Sequence, residues 1–475
     1  EERFNFQRPQ PSRNYVFVAN RDLDTVAKID GGSLEITSIE VGDRPTVVRT
    51  WRDSNTAVAL NEGSSDVSII HATAERDDVV SLPIREGFNQ LVMAPGGVHA
   101  LAYLDYASNQ PDAPTVPDVG RFQDVNVVRL TEGEEAVYNV AVGFHVLEIE
   151  FDDEGEFAYV VTEDGISVIE LAGVQSDISQ RPLPVSEDPF EDAQAVDREV
   201  EVTADGTLAL VRSTVLSGIN LVTLPTGELG HIPLPGVPTD LDIYPDSQRA
   251  IAVMKDARAV AILDLTDLDA EPRIIDITDG PVGLASLDYE ADLALLYSVA
   301  EADPRVTRLN IASGGQMVWD VRKRLEGVQL NPSGTRAVLF HGIDAEPRSQ
   351  APADVFLAGT YAYTVLDLRT GFSKLQTTST RPGEFVFSDD DEWMFLVLEE
   401  ESQGVRLVER MNLFTFRVEQ YQLGSPPEHL GLLPSEDRPR VYVSQRHPVG
   451  RMTFIDIQTG QANTVTGYEL NSQIE

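Results

Sequence analysis

Short apolar runs separated by polar turns occupy almost the whole chain. The runs "YVFVAN" and "TVAKID" (residues 15–30) enclose one such turn, and "TVVRTW", "TAVALN", "VSIIHA" and "VVSLPI" follow. Each run has four to seven residues, is rich in Val, Ile, Leu and Tyr, and is bounded by Gly, Asp, Asn or Pro. Such compositions favour pleated strands joined by tight turns. The pattern therefore predicts an all-β protein made of short strands.

A glycine recurs just after the fourth run of most repeating units. The intervals between these glycines are mostly 41 to 47 residues, two are 56, and one of 93 holds two units. The marker positions are Gly42, Gly87, Gly143, Gly236, Gly280, Gly327, Gly383 and Gly424. With the units before the first marker and after the last, the total is ten. Four strands in about 44 residues is the repeat of a β-propeller blade.

These units predict a β-propeller of about ten four-stranded blades. A four-stranded sheet is too small to bury both faces alone, so each sheet stacks on its neighbours around an axis. Because no linker interrupts the repeat, a single closed ring is favoured, and two smaller rings in tandem are the alternative. We expect an N-terminal extension at 1–14 and the propeller at 15–475, with blade units near 15–45, 46–89, 90–145, 146–196, 197–239, 240–283, 284–327, 328–384, 385–428 and 429–475.

Three strand sequences resemble a known repeat. They are "YVFVAN" (15–20), "YVVTED" (159–164) and "VYVSQ" (441–445), with following runs of the type "ISVIEL", "MTFIDI" and "IEVGDRP". In these residues the chain resembles the YVTN family of β-propeller repeats. That family includes surface-layer and secreted binding proteins, with lactonase-like and quinoprotein-like relatives in the wider group. The resemblance implies a propeller fold and an extracytoplasmic location.

The charge balance restricts the partners. The chain has 78 acidic and 36 basic residues, a formal net charge of -42 and no cysteine. A field of that sign repels nucleic acid and anionic membrane surfaces and attracts cations and basic protein surfaces. The absence of cysteine excludes disulfides, thiolate metal sites and thiol catalysis. No apolar run is long enough to span a membrane.

The first residues, "EERFNFQRPQPSRN", contain neither an initiator Met nor the apolar core of a signal peptide. This start is what a processed mature chain would show. We therefore expect a secreted, periplasmic or cell-surface protein whose signal peptide has been removed. Membership of a larger surface assembly is compatible with that location.

Three irregular segments interrupt the repeat. Residues 106–123 and 343–360 separate second and third strands, and residues 186–197 precede a first strand. In a propeller these connections emerge on one face, and scaffolded loops are where binding residues concentrate. The candidate anchors for a partner are Tyr106, Phe122, Phe190, Val355 and Phe356. The alternative is that the loops are neutral insertions.

Sequence signatures of catalysis are missing. The seven histidines are dispersed, and the chain has no HExxH, GxSxG, Walker or GxGxxG pattern. The first strands read as mostly apolar with acidic ends. The sequence therefore favours a non-enzymatic propeller that binds a protein or glycan through its elaborated face and needs no cofactor. The alternative is a propeller enzyme, lactonase-like or quinoprotein-like, with its site in the central funnel.

Acidic turns are candidate calcium sites. "NRDLDT" places Asp22 and Asp24 at alternate positions, but Thr25 and Gly31 stand where an EF-hand has Gly and Glu. A second acidic turn, "DLTDLDAE", contains Asp264, Asp267 and Asp269. The competing interpretation is that both are solvated hairpins.

Overall fold

Ten small sheets follow one another along the chain, and each is one blade of a β-propeller. The computed structural model describes residues 4–105, 123–176, 178–187, 198–299, 303–435 and 438–469; for Arg198 and Glu401 it describes only the backbone. Blades are numbered here from the N-terminus. Within a blade, the first strand is the innermost, because first strands of successive blades contact one another around the axis.

The strands of the first five blades have the following bounds. Blade 1 has Gln10–Pro11, Tyr15–Asn20, Thr25–Asp30 and Ile36–Glu40; blade 2 has Pro45–Thr50, Thr56–Asn61, Asp66–Ala72 and Asp77–Pro83; blade 3 has Gln90–Met93, His99–Tyr103, Asp124–Arg129 and Ala136–Ala141; blade 4 has Val146–Phe151, Phe157–Thr162 and Gly165–Glu170; blade 5 has Arg198–Val202, Leu208–Ser213, Gly218–Thr223 and Glu228–Pro233.

The other five blades are regular. Blade 6 has Asp240–Ile243, Arg249–Met254, Ala259–Asp264 and Arg273–Asp276; blade 7 has Leu284–Asp288, Leu293–Tyr297, Arg305–Asn310 and Gln316–Asp320; blade 8 has Gly327–Leu330, Arg336–His341, Tyr361–Asp367 and Ser373–Thr378; blade 9 has Pro382–Phe387, Trp393–Glu400, Val405–Asn412 and Val418–Gln422; blade 10 has Pro427–Leu433, Arg440–Gln445, Arg451–Asp456 and Ala462–Thr466.

Blades 3 and 4 depart from the four-stranded pattern. The short strand Ile178–Ser179 pairs in parallel with the outer strand of blade 3, so that sheet has five strands. Blade 4 has three described strands, and Leu183 forms a single bridge with Ile166 at its outer edge. The segment after the third strand of blade 4 therefore first pairs with blade 3 and then pairs with the outer edge of its own blade.

Burial along a blade explains its sequence pattern. All six residues of the second strand Tyr15–Asn20 are buried, because both faces of that strand pack on neighbouring blades. The outer strand Ile36–Glu40 instead buries only Ile36 and Ile39. Second strands thus read as continuous apolar runs, and outer strands mix apolar with polar residues. Turns follow the same logic: Gly460 takes a φ of 72° where a tight turn ends the third strand of blade 10.

Ten apolar clusters hold the blades together, and each cluster lies between two adjacent blades. The last of them joins blade 10 to blade 1 through Leu433, Tyr442 and Phe454 on one side and Val16 and Ile29 on the other. The ring is therefore single and closed, as the sequence predicts. Each described blade is formed from one continuous stretch of chain, apart from the short strand added to blade 3.

Residues beyond the last strand strengthen this closure. Tyr468 is buried between blades 10 and 1, and its ring meets Phe6 edge to face at 4.9 Å. Glu469 accepts hydrogen bonds from Asn20 (3.0 Å), Thr25 (2.7 Å) and Ser38 (2.6 Å) of blade 1. The end of the described chain is thereby fastened to its beginning.

Helices are few. The described ranges contain the α-helix Pro352–Ala358 and the 3-10 turns Pro95–Gly97 and Glu401–Gln403. In those same ranges, no helix has the length and apolar character needed to cross a bilayer.

Candidate functional site

Connections from second to third strands, and from one blade to the next, emerge on the same face of the ring. We call this the loop face. Its longest described connection, residues 342–360, joins the second and third strands of blade 8 and contains the helix Pro352–Ala358. This is the slot that the sequence predicts for the insertion at 343–360. The other two predicted loops fall almost entirely at 106–122 and 188–197, outside the described residues.

A buried lysine fixes this insertion to the ring. The side chain of Lys323, in the connection between blades 7 and 8, is fully buried. Its Nζ donates to Asp344 Oδ2 at 3.0 Å and to the carbonyl of Leu357 at 2.6 Å. A buried ammonium is tolerated only when its charge and hydrogen bonds are matched in this way. The lysine therefore ties both ends of the insertion to the ring beneath it.

A second ion pair holds the middle of the insertion. The guanidinium of Arg348 donates to both carboxylate oxygens of Asp320, at 2.8 and 2.6 Å. These hydrogen bonds lower the pKa of Asp320 and raise that of Arg348. Two parallel bonds between planar groups fix orientation as well as distance. The insertion is thus an ordered element rather than a loose loop.

Two of the predicted anchors stand on this ordered element. Val355 is 47% and Phe356 59% exposed, on the helix Pro352–Ala358, which buries only Ala358. Apolar side chains displayed on a fixed element lose little conformational freedom when a partner covers them. Val355 and Phe356 are therefore accessible on the loop face, and their contact with a partner stays a prediction. Tyr106, Phe122 and Phe190 lie outside the described residues.

A cavity of about 500 Å³ opens beside the axis between blades 8, 9 and 10, and we call it the glutamate cavity. Its apolar wall includes Phe340 and Phe385, whose ring centroids are 4.7 Å apart. Its polar lining includes Arg381, His341 and four glutamates, Glu326, Glu384, Glu399 and Glu428. An aromatic wall with several carboxylates is a mixed surface of the kind that small-molecule and side-chain sites use.

Arginines pair with three of these four glutamates. Arg381 binds Glu326 with distances of 3.2 and 3.1 Å. Arg8 lies 3.4 Å from Glu384, and Arg446 pairs with Glu399. No such ion pair is found for Glu428 within the part of the chain that the structure describes. Glu428 also lines a second cavity of about 530 Å³, so this residue lies at the boundary between the two cavities.

His341 contributes no charge to the glutamate cavity at neutral pH. Burial lowers the pKa of its imidazole to about 4. Its Nδ1 lies 3.1 Å from the carbonyl of Arg324, and its Nε2 lies 2.8 Å from the hydroxyl of Thr364. Since a carbonyl only accepts, Nδ1 carries the proton and Nε2 accepts from Thr364. The histidine is a fixed neutral wall of the cavity.

A second acidic feature lies on the axis itself. Three adjacent first strands carry carboxylates at alternate positions, which place both side chains of each strand on one side. The residues between them are buried against neighbouring blades, so the carboxylates face the channel. These six axial carboxylates are Glu148 and Glu150 of blade 4, Glu199 and Glu201 of blade 5, and Asp240 and Asp242 of blade 6.

Three of the axial carboxylates hold protons near neutral pH. Burial raises the pKa of Glu150, Glu201 and Asp242 to about 7, and the neighbouring carboxylates add to each shift. One carboxylate oxygen of Asp242 is buried and has no hydrogen-bond partner among the described residues. Low dielectric and like charge both disfavour ionisation. The inner channel wall therefore holds groups that titrate in the physiological range.

The negative charges of Glu199 and Asp240, two of the other axial carboxylates, are partly compensated. The Arg212 side chain of blade 5 pairs with Glu199. Asp240 accepts a hydrogen bond from the backbone N–H of Ala285 at 2.7 Å, although burial still raises its pKa. The channel wall is therefore acidic on blades 4 to 6.

We expect the stability of the protein to fall as the pH rises from 5 to 8, through these three carboxyl groups. Their pKa is higher in the folded than in the unfolded state, so their contribution is fully present below about pH 4.5 and is lost as the pH passes 7. Glu201→Gln should be more stable than wild type at pH 8 by about 1–2 kcal/mol, with a smaller difference at pH 5. Calorimetry at the two pH values measures this.

The matched control is Glu228→Gln, which changes an exposed glutamate on the outer strand of the same blade. This control should show the same pH dependence as wild type. An unchanged pH dependence in Glu201→Gln would contradict the assignment.

The predicted calcium residues lie on opposite faces and already serve in turns. Asp22 and Asp24 accept backbone N–H groups of Asn5 and Arg44, both at 2.8 Å. Asp264 accepts hydrogen bonds from the backbone N–H and the hydroxyl of Thr266, and these bonds lower the pKa of Asp264. Asp267 and Asp269 are exposed in the same turn as Asp264. No three His, Asp or Glu side chains of the described ranges are grouped to hold a metal ion, and calcium binding stays a prediction.

The axial carboxylates were not predicted from the sequence. The prediction that first strands are mostly apolar with acidic ends is wrong for blades 4 to 6. The signal was present as "LEIEF", "REVEV" and "DLDI", each with acids two residues apart. Only the alignment of successive first strands in the ring shows that these pairs share one wall.

Comparison with known proteins supports the fold. No family model and no curated protein matches the chain. A eukaryotic initiation factor has a TM-score of 0.52 at 10% identity, over 86% of this chain and 97% of that one. Dihydro-heme d1 dehydrogenase NirN has 0.47 at 11%, over 87% and 73%. Sqt1 from Chaetomium thermophilum, bound to the N-terminus of ribosomal protein L10, has 0.41 at 14%, over 71% and 94%. At 10% identity, the similarity to the initiation factor shows the fold alone, and the YVTN resemblance stays a prediction.

Proposed function

We propose that this protein is a non-catalytic binding propeller whose loop face takes a protein partner with a basic surface. The observation that carries the proposal is the display of Val355 and Phe356 on a helix held by the buried Lys323. Rigid exposed aromatic side chains are typical of interface hot spots. A binding surface needs a fixed apolar anchor, whereas a neutral insertion does not, so this arrangement favours the binding surface.

The charge of the protein specifies the kind of partner. With a net charge of -42, the protein attracts basic surfaces over a Debye length and repels acidic ones. Carboxylates around an apolar anchor steer a basic partner and need not be desolvated themselves. A glycan, the other class that the sequence left open, gains nothing from this field unless it is cationic. We also propose an extracytoplasmic location, on the YVTN resemblance.

Phe356→Ser is expected to weaken partner binding by about thirtyfold, which corresponds to about 2 kcal/mol, because a central aromatic anchor is lost. The partner is identified by cross-linking to the wild-type protein in extracts of the source organism, and its affinity is then measured with both purified components. The supporting result is a basic protein that binds wild type directly and binds Phe356→Ser weakly.

Phe372→Ser is the matched control. Phe372 is 56% exposed in the same blade, but it lies in the turn between third and fourth strands on the opposite face. Equal affinity of wild type and Phe356→Ser would remove the helix from the interface. An acidic or uncharged partner would contradict the electrostatic part of the proposal.

One observation favours a catalytic alternative. At neutral pH, Glu150, Glu201 and Asp242 are each partly protonated and stand beside other carboxylates in the channel. Such pairs can supply a general acid and a general base at once. If the channel is a lactonase-like active site, hydrolysis of a lactone panel should be lost in Glu201→Gln and retained in Glu228→Gln. Retention of hydrolysis in both variants would exclude these carboxylates from the reaction.

A further inference from the structure

We infer that the glutamate cavity binds a single cationic side chain of the partner, an arginine guanidinium or a lysine ammonium. The inference rests on the proposed function, because it names the group that a basic partner would insert. It starts from two independent observations, an open cavity with an aromatic wall and a carboxylate that has no ion pair among the described residues.

The cavity suits a group with an apolar stem and a charged end. Its volume of about 500 Å³ lies within the range of pockets that enclose small ligands. Phe340 and Phe385 are half-buried and tilted by 40° to each other, so part of each ring is open to the cavity. Aromatic faces attract cations, and the methylene stem of Arg or Lys packs well against rings.

The charges of the cavity lining favour a cation over an anion and favour the binding of a single cation. Glu326 is engaged by Arg381, Glu384 by Arg8 and Glu399 by Arg446, so these carboxylates are close to neutralised. Glu428 is exposed at the rim and forms no ion pair with a described cation. His341 is neutral and adds no positive charge. One entering cation would give Glu428 the kind of partner that the other three glutamates already have, whereas an entering anion would meet a carboxylate that has no ion pair.

The position of Glu428 indicates how a segment of the partner could extend from one cavity into the other. Glu428 lines both the glutamate cavity and the neighbouring cavity of about 530 Å³, and the Arg446–Glu399 pair spans the same boundary. A partner segment that crosses this ridge can place its cation on Glu428 and the next side chain in the second cavity. The second cavity has Phe4, Phe6, Arg406 and His447 in its lining, which makes it less acidic.

The test compares two small probes by calorimetry at low ionic strength. Acetyl-arginine methylamide carries the cation, and acetyl-citrulline methylamide is its neutral isostere. Wild type should bind the arginine probe about tenfold more tightly than the citrulline probe. Glu428→Gln should lose that preference. Phe385→Leu should lower the affinity for the arginine probe, because part of the aromatic wall is removed.

Glu35→Gln controls for the general attraction of cations to an acidic protein. Glu35 is exposed in blade 1, between its third and fourth strands, and its replacement changes the net charge by the same amount as Glu428→Gln. It should keep the preference for arginine. Equal binding of both probes to wild type, or equal loss in Glu35→Gln and Glu428→Gln, would overturn the inference. Preferential binding of a neutral oligosaccharide such as chitotriose would overturn it as well.

The outcome is separable from that of the proposed function. If the arginine probe fails while Phe356→Ser still weakens the partner, the cavity assignment is wrong and the binding function stands. If the arginine probe binds through Glu428 while Phe356→Ser leaves the partner unaffected, the cavity is a cation site and the helix is not the interface.

Discussion

Lys323→Met should lower the free energy of unfolding by about 3 kcal/mol, because removal of one member of a buried ion pair leaves the other without compensation. The variant leaves the Asp344 carboxylate without its cation and the Leu357 carbonyl without the donor at 2.6 Å. The helix Pro352–Ala358 should detach before the ring unfolds. Denaturant unfolding measures the first effect, and proteolysis within residues 342–360 measures the second.

Two further variants make this result interpretable. Lys374→Met removes an exposed lysine from the outer strand of blade 8 and should change stability by no more than about 0.5 kcal/mol. In a Lys323→Met and Asp344→Leu double variant, part of the loss should be recovered, since the uncompensated carboxylate is gone. Wild-type stability in Lys323→Met would show that the buried ammonium does not hold the insertion.

Tyr468→Ala is expected to destabilise the closed ring by about 4 kcal/mol, which is typical for truncation of a large buried aromatic side chain. Tyr468 is 2% exposed and packs on Phe6 and in the cluster that joins blades 10 and 1. Its loss creates a cavity at the one junction where the ring is closed by distant parts of the chain. The thermal midpoint and amide hydrogen exchange of blades 1 and 10 measure the effect.

Tyr468→Phe keeps the ring and removes only the hydroxyl, so it should remain close to wild type. Glu469→Gln tests the adjacent hydrogen bonds, because the amide can no longer accept on both of its terminal atoms from blade 1. If Tyr468→Ala destabilises no more than Tyr468→Phe, closure depends on the blade strands alone.

The regular part of the fold was predictable because it is local. Strands such as Tyr15–Asn20 are continuous apolar runs, and turn glycines recur at a nearly constant interval, so blade number follows from counting. Propeller blades interact only with their neighbours, and a repeated local pattern then determines the whole ring. The fifth strand of blade 3 and the three-stranded sheet of blade 4 were not predicted. Ile178–Ser179 is too short to be recognised from the sequence as a strand of the preceding blade.

The candidate sites were predictable only in part because they depend on distant residues. Val355 and Phe356 could be named from their place in an insertion. Lys323, in "DVRKRLEG", reads as one of several solvated basic residues, and nothing local indicates that its ammonium is buried. The glutamate cavity likewise combines side chains of three blades, of which Glu326 and Glu428 are about a hundred residues apart. Pairing of charges at such separations is a property of the folded ring.

The closed ring also determines how the protein can come apart. In an open stack of repeats, the end units have one neighbour each and fray first. Here every blade is flanked on both sides by an apolar cluster, including blades 1 and 10. To release any single blade, two interfaces must be broken together, so no end unit is available from which partial unfolding could begin. Large loops can therefore be added to the rim of such a ring without creating a weak terminus.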